Sequence, residues 1–277
     1  MTSHLQTRTL PDSLDAVDRI LSERGTRLRD SKPRSELVLN FASEAYHKYF
    51  GNWAFTADEY SSLVSKILQI APELAGRLKK PETPNDFTIA GHCSLDLRFQ
   101  ADPNGADPID HQLRDGTAVR GAKVTSKHAK RYANGLVALP TESDEWVYFF
   151  QPGTRPDLQA AALANSVYAD CGDIEQTGIT LIFPQARTKQ LPDYGWVWQL
   201  KSECGRYYVS NFVNSGEALV DENGFFARET QVVQMKYRCL SEDRLQVVID
   251  GPFLVFFADP GGVHAAAWFD KDSFIPQ

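Results

Sequence analysis

The chain has 277 residues, enough for one large domain or two small ones and for a substantial core. Its hydrophobic fraction of 42% and charged fraction of 23% are those of a globular protein. A net charge of −7, with no extended basic run, argues against nucleic acid or an anionic membrane as partner.

The first 25 residues lack an apolar segment of secretory-leader length, and no stretch approaches a membrane-spanning helix, so a cytoplasmic location is the expectation. Cys93, Cys171, Cys204 and Cys239 are scattered without a Cys-x-x-Cys pair, which predicts free thiols rather than a disulfide framework or a zinc site.

Leu14, Val17, Ile20 and Leu21 fall at helical spacing and predict a short amphipathic helix over 12–25, followed by a polar connection over 29–35. A second helix is expected from Leu37, Val38, Phe41, Ala45, Tyr46 and Tyr49, closed by Gly51-Asn52. A third, over 58–78, carries Tyr60, Leu63, Ile67, Ile70 and Leu74 on one face. Beyond Pro84 the texture changes to short apolar or alternating runs, predicting strands at 87–99, 135–140, 145–151, 178–184, 194–203, 216–220, 246–251, 253–259 and 263–270. One Ala-rich helix is expected over 156–167. Helices first and strands afterwards indicate an α+β domain.

Motifs for chemistry are sparse. The chain has no G-x-S-x-G, no phosphate-binding loop and no G-x-G-x-x-G. His92-Cys93 is the most reactive-looking pair, yet neighbouring strand residues point to opposite faces. A catalytic Cys93 would therefore need His111 or His128 as its base, and a structural role for His92 and Cys93 is the stronger reading. The histidines lack metal-ligand spacing, so no metal and no cofactor are expected. Tyr194, Trp196 and Trp198 are candidates for a ligand pocket, with the two tryptophans on one strand face, although such stripes more often pack a sheet.

The most informative stretch is 212–259, FVNSGEALVDENGFFARETQVVQMKYRCLSEDRLQVVIDGPFLVFFAD: a strand, a Gly-marked turn, a long polar loop and a buried strand entered through Gly251-Pro252. It resembles the C-terminal signature of the serpins, with FVNSGEALVDENG (212–224) similar to "V-F-H-K-A-x-x-E-V-N-E-E-G" and DGPFLVFFAD (250–259) to "D-H-P-F-L-F-x-I". GNWAFTADEYSSL (51–63), with Thr56-Ala57 in place of Ser-Pro, the pair 135–140 and 146–152, and ITLIFPQA (179–186) match further serpin segments in the family's order.

The resemblance implies a single serpin-like domain over 1–277. N-terminal helices would pack on mainly antiparallel or mixed sheets, the central sheet would be reduced, and 1–35 would be loosely attached. The chain is shorter than an ordinary serpin, and the loss falls between Lys80 and the strand containing Cys93. A hinge is implied at Glu222, Gly224 and Phe225, a reactive-loop equivalent at 225–244, and a bait near Arg238, Cys239 and Leu240. An inhibitory serpin traps its protease by inserting the cleaved loop as a new central strand. Here the alternation from Gly224 would bury Phe225, Ala227 and Glu229, a bulky ring and an unpaired carboxylate, so insertion is expected to be disfavoured. The expected function is a non-inhibitory scaffold that binds a small molecule or a protein partner. The alternatives are a cofactor-independent enzyme, such as a cyclase or isomerase acting on a bulky apolar substrate, and an inhibitor of a serine or cysteine protease.

Overall fold

Residues 4–41, 48–153, 158–192, 194–228 and 245–277 are described by the structure, a computed structural model. The first described element is strand β1 (His4–Thr7), which pairs antiparallel with the last strand through His4↔Trp268 to Thr7↔Ala265. Leu5 and Gln6 are buried there. The expectation that 1–35 is loosely attached is therefore corrected, because this segment completes a sheet edge and fills part of the core. Helix α1 (Thr9–Glu23) follows, and Leu14 and Leu21, two turns apart, form its buried stripe.

Helix α2 (Lys32–Leu39) begins within the predicted connection, with Pro33 in its first turn where a missing N–H costs nothing. It ends at Asn40, and Ala45 and Tyr46 lie outside the described residues. Strand β2 (Phe50–Thr56) replaces the expected helix end at Gly51-Asn52, and Tyr49 lies in the turn before it. The predicted third helix is divided. A 3-10 turn over Ala57–Glu59 is closed by a reciprocal Thr56–Glu59 capping box; α3 (Tyr60–Ile70) follows; and Pro72, which has no N–H to continue the ladder, starts the short α4 (Pro72–Ala75).

The remaining chain is mostly strand: β3 (Phe87–Arg98), β4 (Ala106–Gln112), β5 (Ala118–Tyr132), β6 (Val137–Pro140), β7 (Trp146–Phe150), β8 (Ile174–Pro184), β9 (Ala186–Thr188), β10 (Glu217–Val220), β11 (Gly224–Arg228), β12 (Leu245–Val248), β13 (Phe253–Asp259) and β14 (Gly262–Phe269). Helix α5 (Ala160–Ala169) lies between β7 and β8. The larger sheet runs β1-β14-β13-β7-β6-β5-β8-β12, with β4 also on β5. Its pairs are antiparallel except β12 with β8. The smaller sheet runs β2-β3-β11-β10-β9.

The two sheets share one core. Leu95, Leu97, Phe225 and Ala227 of the smaller sheet join Phe149, Phe183, Phe253 and Phe257 of the larger in a single buried cluster. Phe149 and Phe183 have ring centroids 4.9 Å apart, and Phe99 reaches Phe149 at 5.9 Å. Burying each such ring contributes about 1.5–3 kcal/mol. Helix α5 covers another part of the larger sheet, where Ala160, Ala161 and Ala164 allow close approach to Leu254, Phe256 and Trp268. Residues 195–199 form a 3-10 helix rather than the predicted strand. Val197 within it and Leu200 just after it, three apart, are buried, which matches a three-residue turn and not a pleat.

Candidate functional site

Two features qualify by geometry: the turn after β10, where the resemblance implies a hinge, and a cleft beside β5. At that turn, β10 and β11 form an antiparallel hairpin with Val220 opposite Phe225 and Leu219 opposite Phe226. The Asp221 carboxylate accepts from the backbone N–H of Asn223 at 2.8 Å and of Gly224 at 3.3 Å, which closes the turn. Burial pushes the Asp221 carboxyl above its usual range, against these two hydrogen bonds. Glu222 accepts from the Gln185 side-chain amide at 2.7 Å, tying the turn to the residue between β8 and β9.

Beyond the turn, β11 pairs antiparallel with β3 as well, Gly224 opposite Arg98 and Phe225 opposite Leu97. A Cβ on Gly224 would stand 2.4 Å from the Leu97 carbonyl oxygen, so only glycine permits this approach. Phe225 is 0% exposed and Ala227 1%. The alternation expected from Gly224 holds for Phe225 and Ala227, and the space that the bulky Phe225 ring is expected to need is present. The ring lies among mid-sized neighbours, with Leu97 and Val220 directly across, and is absorbed by the core. Glu229, the remainder of the 225–244 segment after Arg228, and with it Arg238, Cys239 and Leu240, lie outside the described residues.

The other candidates are not assembled into one place. Cys93 is a buried core residue of β3 opposite Phe50. His92 faces the other way, its ring 6.4 Å from Trp53. His111 belongs to the other sheet, on β4, with a ring nitrogen 2.9 Å from the Ile249 carbonyl oxygen. Tyr194, Trp196 and Trp198 do not share a strand face. Tyr194 precedes the 3-10 helix and packs with Phe212 at 6.3 Å, Trp196 is half-buried between two core clusters, and Trp198 is exposed. None of these three lines either concavity described below.

The larger concavity is a cleft of about 660 Å³ lined by residues of β5, the β6–β7 turn and β8. A bulge makes it. The β5–β8 register shifts between Ser126 and Lys130, so that β8 supplies Gly178 alone across from three residues of β5. Gly178 has φ +72, a left-handed conformation that favours glycine. The bulge is fixed by the Lys127 N–H donating to Asp102 at 3.1 Å and the His128 N–H donating to the Ser126 hydroxyl at 3.3 Å. It breaks the in-out alternation of β5, leaving Lys127 and His128 both exposed at the cleft. Trp146 forms an aromatic wall, with the Lys130 ammonium 3.8 Å from its ring centroid.

Glu145, buried at the same cleft, accepts from the Lys48 ammonium at 2.9 Å and from the Tyr49 hydroxyl at 2.9 Å. Hydrogen bonds donated to the Tyr49 hydroxyl and to Glu145 hold the Lys48 ammonium well above its usual range. Sequence reasoning missed this cleft. In sequence, His128 stands out only as a possible base for Cys93, and no motif marks Lys127, Lys130 or Trp146. A smaller concavity of about 450 Å³ lies between β2 and α3, lined by Trp53, Phe55 and Lys66 among others. Among the described residues no group of three His, Cys, Asp or Glu is placed to hold a metal, and no helix is long and apolar enough to cross a membrane.

No family model and no curated protein matches the sequence. Solved structures do match by shape. Serpin48 of the insect Tenebrio molitor, described as a highly specific serpin, is 11% identical with a TM-score of 0.56, over 97% of this chain and 91% of that one. A cleaved serpin 42Da is 12% identical with a TM-score of 0.53, over 100% of this chain and 93% of that one. The chain has a serpin-like fold, and identities this low carry the likeness no further than the fold.

Proposed function

We propose that this chain is a non-inhibitory serpin-like scaffold that binds a ligand or partner rather than trapping proteases. The observation that carries the reading is the state of β11: the first residues after the hinge are already a strand paired on both edges. Trapping draws its driving force from burial that follows loop cleavage. Burying the Phe225 ring contributes about 1.5–3 kcal/mol, and here that gain belongs to the intact chain. Continuing the same alternation inward would bring Glu229 to the buried face, where an unpaired carboxylate costs several kcal/mol.

One observation favours the inhibitor reading instead. β11 lies antiparallel between β3 and β10, the arrangement an inserting loop requires, and the core accepts its Phe225. The two readings separate on a denaturing gel after incubation with trypsin, subtilisin and a papain-like protease. The scaffold reading expects nicked chain only. A covalent complex that survives denaturation overturns it. The enzyme alternative has less support, since Cys93, His92 and His111 are not brought together.

A further inference from the structure

The cleft beside β5 sets the two lysines Lys127 and Lys130 beside the carboxylates of Asp144 and Glu145 in a chain whose net charge is −7. Lys127 and Lys130 both line it, and among the described residues neither is in an ion pair. The buried acid nearest them, Glu145, already accepts from Lys48 and Tyr49. Asp144 is the other carboxylate of the lining and stands exposed at the tip of the β6–β7 turn. The exposed donors Thr177 and Gln100 border the same space. The apolar part of the lining is Trp146 with Pro140, a flat indole beside a rigid ring. A volume of about 660 Å³ lies within the range of small-molecule sites.

We infer that this cleft is a binding site for a small organic anion in which a flat ring carries a phosphate monoester head. Two ammonium groups outside any ion pair can both donate to one phosphate head, and the Lys130 ammonium over the Trp146 ring sets that charge beside the indole a ligand ring would meet. The β5 bulge is what makes the site possible, because regular alternation would place Lys127 and His128 on opposite faces. This inference rests on the scaffold reading above and names its ligand class.

Phenyl phosphate and adenosine monophosphate serve as probes in calorimetric titrations of the full chain at low ionic strength, with inorganic phosphate and phenol as controls. Both ring-bearing phosphates are expected to bind more tightly than either control and to weaken as salt is added. Lys127→Ala and Lys130→Ala should each weaken them by about tenfold, the loss of one charge-assisted hydrogen bond. Thr177→Glu, which places a negative charge at the rim, should act in the same direction. Absence of binding, equal binding of inorganic phosphate, or unchanged affinity in variants that retain the wild-type melting temperature would each overturn the inference. Failure here with only nicked chain on the protease gel removes the ligand class and leaves the scaffold reading. A covalent protease complex with anion binding intact does the reverse.

Discussion

Phe225 has no exposed surface and stands between Leu97 and Val220, so truncating it leaves a cavity that a packed sheet interface cannot close. Phe225→Ala is predicted to cost about 3–5 kcal/mol in denaturant unfolding; a loss within experimental error would mean that β11 is not part of the folded core. Asp221 makes a sharper test because its sign depends on pH. Burial raises its carboxyl above the ordinary value, so ionising it is penalised in the fold. Its contribution is full below the ordinary carboxylate pKa and falls away as pH rises through the raised one. Asp221→Asn keeps an oxygen acceptor for the Asn223 and Gly224 N–H groups and removes the titration. The variant should therefore gain on the wild type as pH is raised from about 4 to about 7, read as a growing difference in unfolding free energy. Cys204, exposed and held down to about 7 chiefly by a hydrogen bond with Ser202, should react with iodoacetamide well below the pH an ordinary thiol needs. Cys93, buried in the core, should label only on unfolding.

At the scale of elements, the β5 bulge and the hinge hairpin each depend on one glycine for a different reason. Gly178 needs its left-handed backbone but has room: the nearest atom to an added Cβ would be the Lys127 carbonyl oxygen at 3.8 Å. Gly178→Ala should therefore cost only the backbone term, about 1–2 kcal/mol. By shifting the bulge, it should also weaken anion binding measured on the same protein. Gly224 has no room, and an added methyl would force β11 from β3. The elements legible in the sequence were those whose apolar runs are buried on both sides, such as β13 with FLVFFA and β14 with VHAAAWF. β5 is hard to read from sequence because its exposed positions include Arg120, Lys123, Lys127 and His128, which interrupt its apolar residues. The run at 194–203 misled for the opposite reason. Its aromatic alternation imitates a strand, while Val197 and Leu200 bury at a three-residue spacing.

Taken as a whole molecule, the chain carries its serpin-like architecture on the order of its segments rather than on identity, which is only 11–12% to the two serpins named above. Order was readable because hinge, turn and re-entry strand each impose a local residue requirement: acidic and Gly at the turn, Pro before a buried strand. The candidate cleft was not readable, since it is made by β5, β8 and the β6–β7 turn meeting around a bulge, and no single segment announces that meeting. The same holds for Phe225, whose fit depends on residues far away in sequence across both edges of β11. The most direct measurement of the central claim is the melting temperature of the intact chain against chain nicked between Arg228 and Leu245. The account predicts an unchanged or lowered value, because the first residues after the hinge are already in the sheet. A large rise on nicking would show that the loop still has insertion energy to release, and would contradict it.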